Sequence, residues 1–335
     1  MRKTLIAAAL LLAALSGCGE KAEPTGGSPA RQEPFTVMLD YFPNADHAGI
    51  FAAKAAGLYE KAGLDVKIQT PPDPSAPLKL LRAGKADVAI SYEPELLLAR
   101  DAGADTLVAV GALVQVPLTS VMALPAARVK SARDLAGKRV GTSGIPYQSA
   151  YLKTILDKAG VDPGSVKETN VGFDLVRPLI TKRVDATLGA FWNIEGIQLA
   201  RAHKDPHIIR IEKAGVPTYN ELVLVARASD LRRRGELYRA FMQALARGHR
   251  AVQRDPQVGV DALLNADKDL KRGDTEAQVR ATLPTFFPTG KNKPFGYMDP
   301  RQWRAYGDWM ERNKLLTRPA SPRALTNEFL PGEGL

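Results

Sequence analysis

From Phe35 onward, short apolar runs alternate with stretches whose apolar residues recur every three or four positions. The runs read as strands and the amphipathic stretches as helices. The first series predicts strands at Phe35–Leu39, Asp65–Gln69, Asp87–Ile90 and Thr106–Leu113, with helices at Ala45–Ala62, Ala76–Arg82 and Glu93–Asp101. A second series follows Val116-Pro117. It predicts strands at Lys138–Gly141, Val166–Val171, Asp185–Ala190, His207–Ile211 and Glu221–Ala226, with helices at Gln148–Ala159, Leu175–Thr181 and Ile194–His203. Beyond Ala226 the pattern is helical, with Ser229-Asp230 as the expected N-cap, Leu237, Phe241 and Leu245 at i, i+4 spacing, and an amphipathic helix at Asp299–Asn313. Strand–helix alternation of this length implies α/β domains with mainly parallel sheets.

One stretch repeats. Leu80–Asp87, a strand, Tyr92-Glu93-Pro94-Glu95 and a helix ending Ala99-Arg100 resemble Leu179–Asp185, a strand, Phe191-Trp192-Asn193-Ile194-Glu195 and a helix ending Ala200-Arg201. Each half thus presents aromatic and carboxylate side chains where a strand ends and a helix begins. Ligands of open α/β sheets sit outside the carboxyl ends of the strands, so two such ends facing each other would enclose a small molecule.

The N-terminus has a different pattern. Arg2 and Lys3 precede the apolar run Leu5–Leu15, which is too short to span a bilayer and reads as a secretory signal over residues 1–17. It ends Leu15-Ser16-Gly17-Cys18, which looks like a lipobox in which the Cys18 thiol takes a diacylglycerol. Residues 18–34, rich in Pro, Gly and Ser, then read as a flexible, lipid-anchored linker.

Composition narrows the choice of function. The 335 residues are 45% hydrophobic and 24% charged, the make-up of an ordinary globular protein with room for about two domains. Cys18 is the single cysteine, which excludes intramolecular disulfides and metal sites built on several thiolates. The net charge of +10 falls by two when Arg2 and Lys3 are removed. The tight basic cluster Arg232-Arg233-Arg234 reads as a solvated helix turn, so no nucleic-acid partner is expected.

Five segments carry a resemblance: Asp40–Gly49 (DYFPNADHAG), Ala83–Asp87 (AGKAD), Tyr92–Glu95 (YEPE), Gly141–Tyr147 (GTSGIPY) and Phe191–Gly196 (FWNIEG). They resemble the substrate-binding proteins of ABC importers that carry thiamine-pyrimidine precursors, over about residues 35 to 310. The resemblance implies a type II periplasmic-binding-protein fold of two α/β lobes around a ligand cleft. It places lobe I at 35–117 and 222–320, lobe II at 118–221 and a tail at 321–335, with crossings near Val116–Val121 and Val216–Leu222. It implies a lipoprotein held outside the cytoplasm on the bacterial cell membrane, a monomer that binds a small aromatic heterocycle and meets an ABC permease and its ATPase, with no cofactor and no catalysis.

An aminopyrimidine needs an apolar face and polar partners in its plane. Tyr41, Phe42, Tyr92, Phe191 and Trp192 can supply the face. Glu195 is the favoured acceptor for the ring amino group, with Glu93 and Glu95 as further carboxylates. Asn44 and Asn193 can serve a ring nitrogen edge or simply form turns and caps. His47 either contacts ligand or satisfies its own loop; it has no second histidine nearby, and no metal is expected. Ser143, in Gly141-Thr142-Ser143-Gly144, stands before a helix, where backbone N–H groups can hold a polar substituent. No Lys or Arg lies between Arg139 and Lys153, which favours an unphosphorylated ligand.

Two other readings remain open. One is an importer component for riboflavin, a sulfonate or nitrate. The other follows from the related fungal thiamine pyrimidine synthase, an iron-dependent enzyme that consumes its own histidine and carries a cysteine-rich motif; His47 takes the histidine position, but there is no cysteine after Cys18.

Overall fold

The computed structural model describes residues 32–290 and 292–332. Residues 1–31, which include the signal, Cys18 and most of the linker, lie outside it. Strand β1 (Glu33–Met38) takes in Glu33 and Pro34, two residues that the linker was expected to contain, because Glu33 already pairs with Leu64.

The chain then runs through a 3-10 turn (Ala45–His47), α1 (Ala48–Ala55), α2 (Leu58–Lys61), β2 (Leu64–Gln69), α3 (Pro77–Arg82), β3 (Val88–Ser91), α4 (Glu93–Asp101) and β4 (Leu107–Val114). The single helix expected over Ala45–Ala62 is broken at Gly57, whose φ of 63° suits glycine and ends α1. After a crossing come β5 (Thr119–Ala123), β6 (Arg139–Thr142), α5 (Pro146–Ala159), β7 (Lys167–Asn170), α6 (Arg177–Ile180), β8 (Ala186–Phe191), α7 (Glu195–Arg201) and β9 (His207–Arg210). The chain returns through β10 (Leu222–Arg227) and finishes with α8 (Ala228–Arg254), α9 (Pro256–Ala266), α10 (Arg272–Thr282) and α11 (Pro300–Arg312). Helix α8 begins ahead of the expected Ser229-Asp230 cap; Asp230 instead forms ion pairs with Arg227 and Arg233.

The strands form two five-stranded sheets, in the orders β2-β1-β3-β10-β4 and β7-β6-β8-β5-β9. The two follow one plan. Three strands are parallel, and the fourth, the first strand after a crossing, runs antiparallel to both its neighbours. Each lobe is therefore completed by chain that has come over from the other. The repeated sequence stretch occupies matching places, since β3 and β8 are both third in their sheets and each runs into a helix bearing a glutamate.

The first sheet is covered by helices and is buried through β3, β4 and β10. Phe35, Tyr59, Tyr238 and Phe241 pack as a ring cluster between β1, α2 and α8. The segment expected as a tail is built in: Leu325 bridges to Ala109 of β4, Thr326 N–H donates to the Ala109 carbonyl at 2.8 Å, and Phe329 is buried. Among the described residues no helix is long and apolar enough to cross a membrane.

Candidate functional site between the lobes

On the lobe I side the site is built around Asp40, in the loop that follows β1. Asn44 caps the 3-10 turn, its Oδ1 accepting from Asp46 N–H at 2.8 Å. The Asn44 N–H lies 3.3 Å from His47 Nδ1 and donates to it, which leaves the proton on Nε2 to reach Asp40 Oδ1 at 2.9 Å. Tyr92, at the end of β3, donates its hydroxyl to Asp40 Oδ2 at 2.9 Å. Both oxygens of this buried carboxylate are thus taken up, one by His47 and one by Tyr92. The Tyr92 ring stands 5.5 Å from that of Tyr147 of α5.

Lobe II supplies the opposite wall from the ends of β6 and β8. Ser143 N–H donates to Gln148 Oε1 at 2.8 Å across a turn that Gly144 makes with φ 76°. This fixes the Gln148 amide with its nitrogen against Gly189 of β8, where a Cβ would come within 2.4 Å of Nε2. Glu195 opens α7, and its Oε2 accepts from Phe191 N–H at 2.7 Å. Burial lifts the Glu195 carboxyl to about 7 despite that hydrogen bond, and Asp40 adds to the rise.

These groups enclose a cavity of about 20 Å³, with room for little more than one water, so the lobes are drawn together and must part to admit a ring. Its walls include the rings of Tyr41, Tyr92, Tyr147 and Phe191 and the apolar side chains of Ile145, Leu175 and Ile194. Among the described residues its charged ones are Asp40 and Glu195, and neither Lys nor Arg lines it. Ser143 Oγ, the Tyr147 hydroxyl and Gln148 Nε2 make no hydrogen bond among the described residues and line the cavity, as does Glu195, whose carboxylate accepts from its own backbone N–H as well as from that of Phe191.

Closure is held by contacts between the lobes. The Tyr41 hydroxyl donates to the Phe173 carbonyl, and the two rings meet edge to face at 4.6 Å. Asn193 Nδ2 donates to Asp46 Oδ1 at 2.7 Å and to Thr282 Oγ1 at 2.6 Å. The hydroxyls of Tyr151 in α5 and Tyr306 in α11 bond to each other inside a cluster that includes Tyr147 and Tyr219. At the crossings, the Glu221 carboxylate accepts from Leu118 N–H (2.6 Å), Thr119 N–H (2.8 Å), Thr119 Oγ1 (2.9 Å) and the Tyr219 hydroxyl (3.0 Å). One side chain therefore ties both crossing segments together.

Of the residues expected from sequence, Tyr41, Asn44, Tyr92, Ser143, Phe191 and Glu195 line the cavity. The other six do not. Phe42 lines a neighbouring groove, and Glu95 accepts from Ser91 Oγ. His47 is fully buried behind Asp40 and satisfies its loop. Glu93 points under the hinge, where its Oε2 accepts from Asn220 N–H at 2.7 Å. Asn193 is spent on the contact with Asp46. Trp192 lies on the outer side of lobe II, with its Nε1 donating to the Pro117 carbonyl at 3.2 Å and the Arg210 guanidinium 4.0 Å above its ring. Strand geometry explains the last correction. Neighbouring side chains at a strand end face opposite ways, so with Phe191 turned into the cleft, Trp192 turns out of it. Tyr147, Gln148 and Gly189 were not found from sequence; a polar and aromatic pair in the first turn of the helix after Gly144 was the available signal for the first two.

Comparison with known proteins agrees with this architecture. Residues 44–258 match the family described as NMT1/THI5 like. The chain belongs to this family. The NMT1/THI5-like chain is 32% identical over 289 residues to the formylaminopyrimidine-binding protein of Halalkalibacterium halodurans, covering 86% of this chain and 87% of that one. It is 34% identical over 288 residues to a Haemophilus influenzae protein named for thiamine biosynthesis, covering 86% and 89%. More distantly, at 24% identity over 300 residues (88% and 92% covered), it resembles the 4-amino-5-hydroxymethyl-2-methylpyrimidine phosphate synthase of Legionella pneumophila. In fold it matches the alkanesulfonate-binding protein SsuA of Xanthomonas axonopodis pv. citri, with a TM-score of 0.69 at 17% identity, covering 89% of this chain and 99% of that one. The two-lobed α/β architecture of this family member is thus the periplasmic-binding-protein fold.

Proposed function

We propose that the chain is the substrate-binding lipoprotein of an ABC importer, that it captures a thiamine pyrimidine precursor, formylaminopyrimidine or hydroxymethylpyrimidine, and that it delivers it to a membrane permease with its ATPase. The observation that carries this reading is the charge and polarity of the inner cavity. Among the described residues it offers aromatic walls, the Glu195 carboxylate, one free amide N–H₂ and two hydroxyls, with two acidic residues and no basic one. An aminopyrimidine matches that set: its amino group donates to Glu195, its ring nitrogens accept from Gln148 Nε2 or a hydroxyl, and its faces lie against tyrosine. A sulfonate, nitrate or phosphate would be placed against Asp40 and Glu195 with no cation to offset them, at a high desolvation cost.

The relative named for formylaminopyrimidine binding supports the same ligand class, and its likeness is greater than that of the synthases. His47 favours binding over synthesis as well, since it is shut behind Asp40 and does not line the cavity. The Leu15-Ser16-Gly17-Cys18 sequence supports a lipid anchor at Cys18 and a site of action outside the cytoplasm. Thermal-shift titration decides between ligands. Stabilisation by formylaminopyrimidine or hydroxymethylpyrimidine is expected, whereas a shift with riboflavin or an alkanesulfonate alone would defeat the assignment. An intact His47 in peptide mass spectra after incubation with iron and pyridoxal phosphate is the expected result against the synthase.

A further inference from the structure

The inner cavity has a second, larger space beside it. A groove of about 640 Å³ opens to solvent between the lobes, and it shares Tyr41, Asn44, Leu175, Ile194 and Glu195 with the inner cavity. The shared residues form a common wall of the two spaces, and at that wall the Tyr41 hydroxyl donates to the carbonyl of Phe173, which lines the groove.

The groove has a definite chemistry. Phe42, half exposed, and Phe173 lie with ring centroids 4.9 Å apart on its wall. Its charged residues are Asp174, Glu195, Asp269 and Asp274 against Arg201 and Lys271, and Arg201 is already paired with Asp274 at 2.5 Å. Three carboxylates therefore face one exposed lysine. Glu195 is more than nine-tenths buried, and its carboxylate, held by the backbone N–H groups of Phe191 and Glu195, lines both spaces.

We propose that the site also takes aminopyrimidines bearing a cationic substituent, with the pyrimidine in the inner cavity and the cation in the groove between the phenylalanine rings and the carboxylates. This rests on the inner cavity being a pyrimidine site and extends the ligand class outward from it. An aromatic face and a carboxylate are the two partners a delocalised cation prefers. Tyr41 and Glu195, shared by both spaces, would stand at the link between the two parts of the ligand.

Calorimetric titration of the full chain tests the proposal with three probes. They are hydroxymethylpyrimidine, thiamine, in which a methylene joins the aminopyrimidine to a cationic thiazolium, and the 5-benzyl aminopyrimidine, a neutral ligand of similar shape. Thiamine is expected to bind within about tenfold of the short pyrimidine and at least about fivefold more tightly than the benzyl compound. The double variant Asp174→Asn/Asp269→Asn, which keeps the Asp174 cap on Arg177 N–H, should lose that preference while binding the short pyrimidine as before. Thiamine binding more weakly than this, a smaller preference for charge, or a preference the double variant retains would overturn the proposal. If the short pyrimidine binds and thiamine does not, the extension alone fails; if neither binds, the pyrimidine reading of the inner cavity fails with it.

Discussion

Asn193 of lobe II reaches Asp46 of lobe I, with Nδ2 2.7 Å from Oδ1, and the pair is fully buried. Asp46 Oδ2 and Asn193 Oδ1 have no partners among the described residues. Burial pushes the Asp46 carboxyl well above its ordinary value, against the Asn193 hydrogen bond that holds it down. The contact exists only while the lobes are closed, so it belongs to the closing equilibrium and not to the stability of either lobe. Asn193→Ala would leave Asp46 to be buried alone on closure, at about 1–3 kcal/mol. Ligand Kd should rise about five- to hundredfold with an almost unchanged melting temperature for the free protein. An unaltered Kd would show that closure does not depend on this pair.

Trp192 gives the opposite expectation. It is held by the Pro117 carbonyl and Arg210 on the outside of lobe II, so Trp192→Phe should leave ligand affinity within about twofold and should instead cost a little stability through the lost hydrogen bond. A tenfold loss of affinity would return the residue to the site.

The difference between Asn193 and Trp192 shows what could and could not be read from sequence. Periodicity located almost every strand and helix, and Glu93–Asp101 emerges with both ends as expected because Pro94 follows the start and Gly103 the end. Strand β5 (Thr119–Ala123) lies where the resemblance implies a crossing, near Val116–Val121, just beyond Val116-Pro117. The repeated strand-to-helix junctions lie at two walls of the cavity, at Tyr92 and Glu195. They could not say which of two adjacent aromatic residues faces inward, since that depends on register with β5 and β6. Nor could they show that Glu93 and Glu221 are fully buried, since a glutamate at a helix start or before a strand ordinarily faces solvent.

Buried Glu93 makes the fold sensitive to pH. Its carboxyl is raised to about 8 by burial, with the Asn220 N–H acting in the other direction, and its Oε1 has no partner among the described residues. The folded chain therefore keeps a proton that the unfolded chain releases near 4.5, so the associated stability is full below that pH and is lost as pH rises through about 8. Glu95 and Glu221, each raised to about 7 chiefly by burial, act in the same direction. The melting temperature should fall between pH 6 and pH 8.5. Glu93→Gln, whose amide oxygen can still accept from Asn220 N–H, should melt higher than the parent at pH 8.5 and reduce the fall. A melting temperature that rises over this interval would contradict the assignment.

Glu195 is the residue on which ligand recognition turns. The carboxylate is fixed by Phe191 N–H and its own backbone N–H, so the side chain is already oriented at the cavity wall before a ligand arrives. Glu195→Gln preserves shape and can keep the Phe191 bond through its amide oxygen, but it presents an N–H₂ where the second carboxylate oxygen stood. Two donors, the amide and the ring amino group, would then face each other in a site with almost no room for water. The loss of a charge-assisted hydrogen bond and the unpaired donor together predict at least about a tenfold rise in Kd for an aminopyrimidine. The effect should also depend on pH. Wild-type affinity should improve as pH rises through about 7 and Glu195 ionises, whereas the Gln variant should lack that component. Calorimetry at pH 6 and pH 8 on both proteins separates the contributions, and equal affinities for both proteins at pH 8 would remove Glu195 from ligand contact.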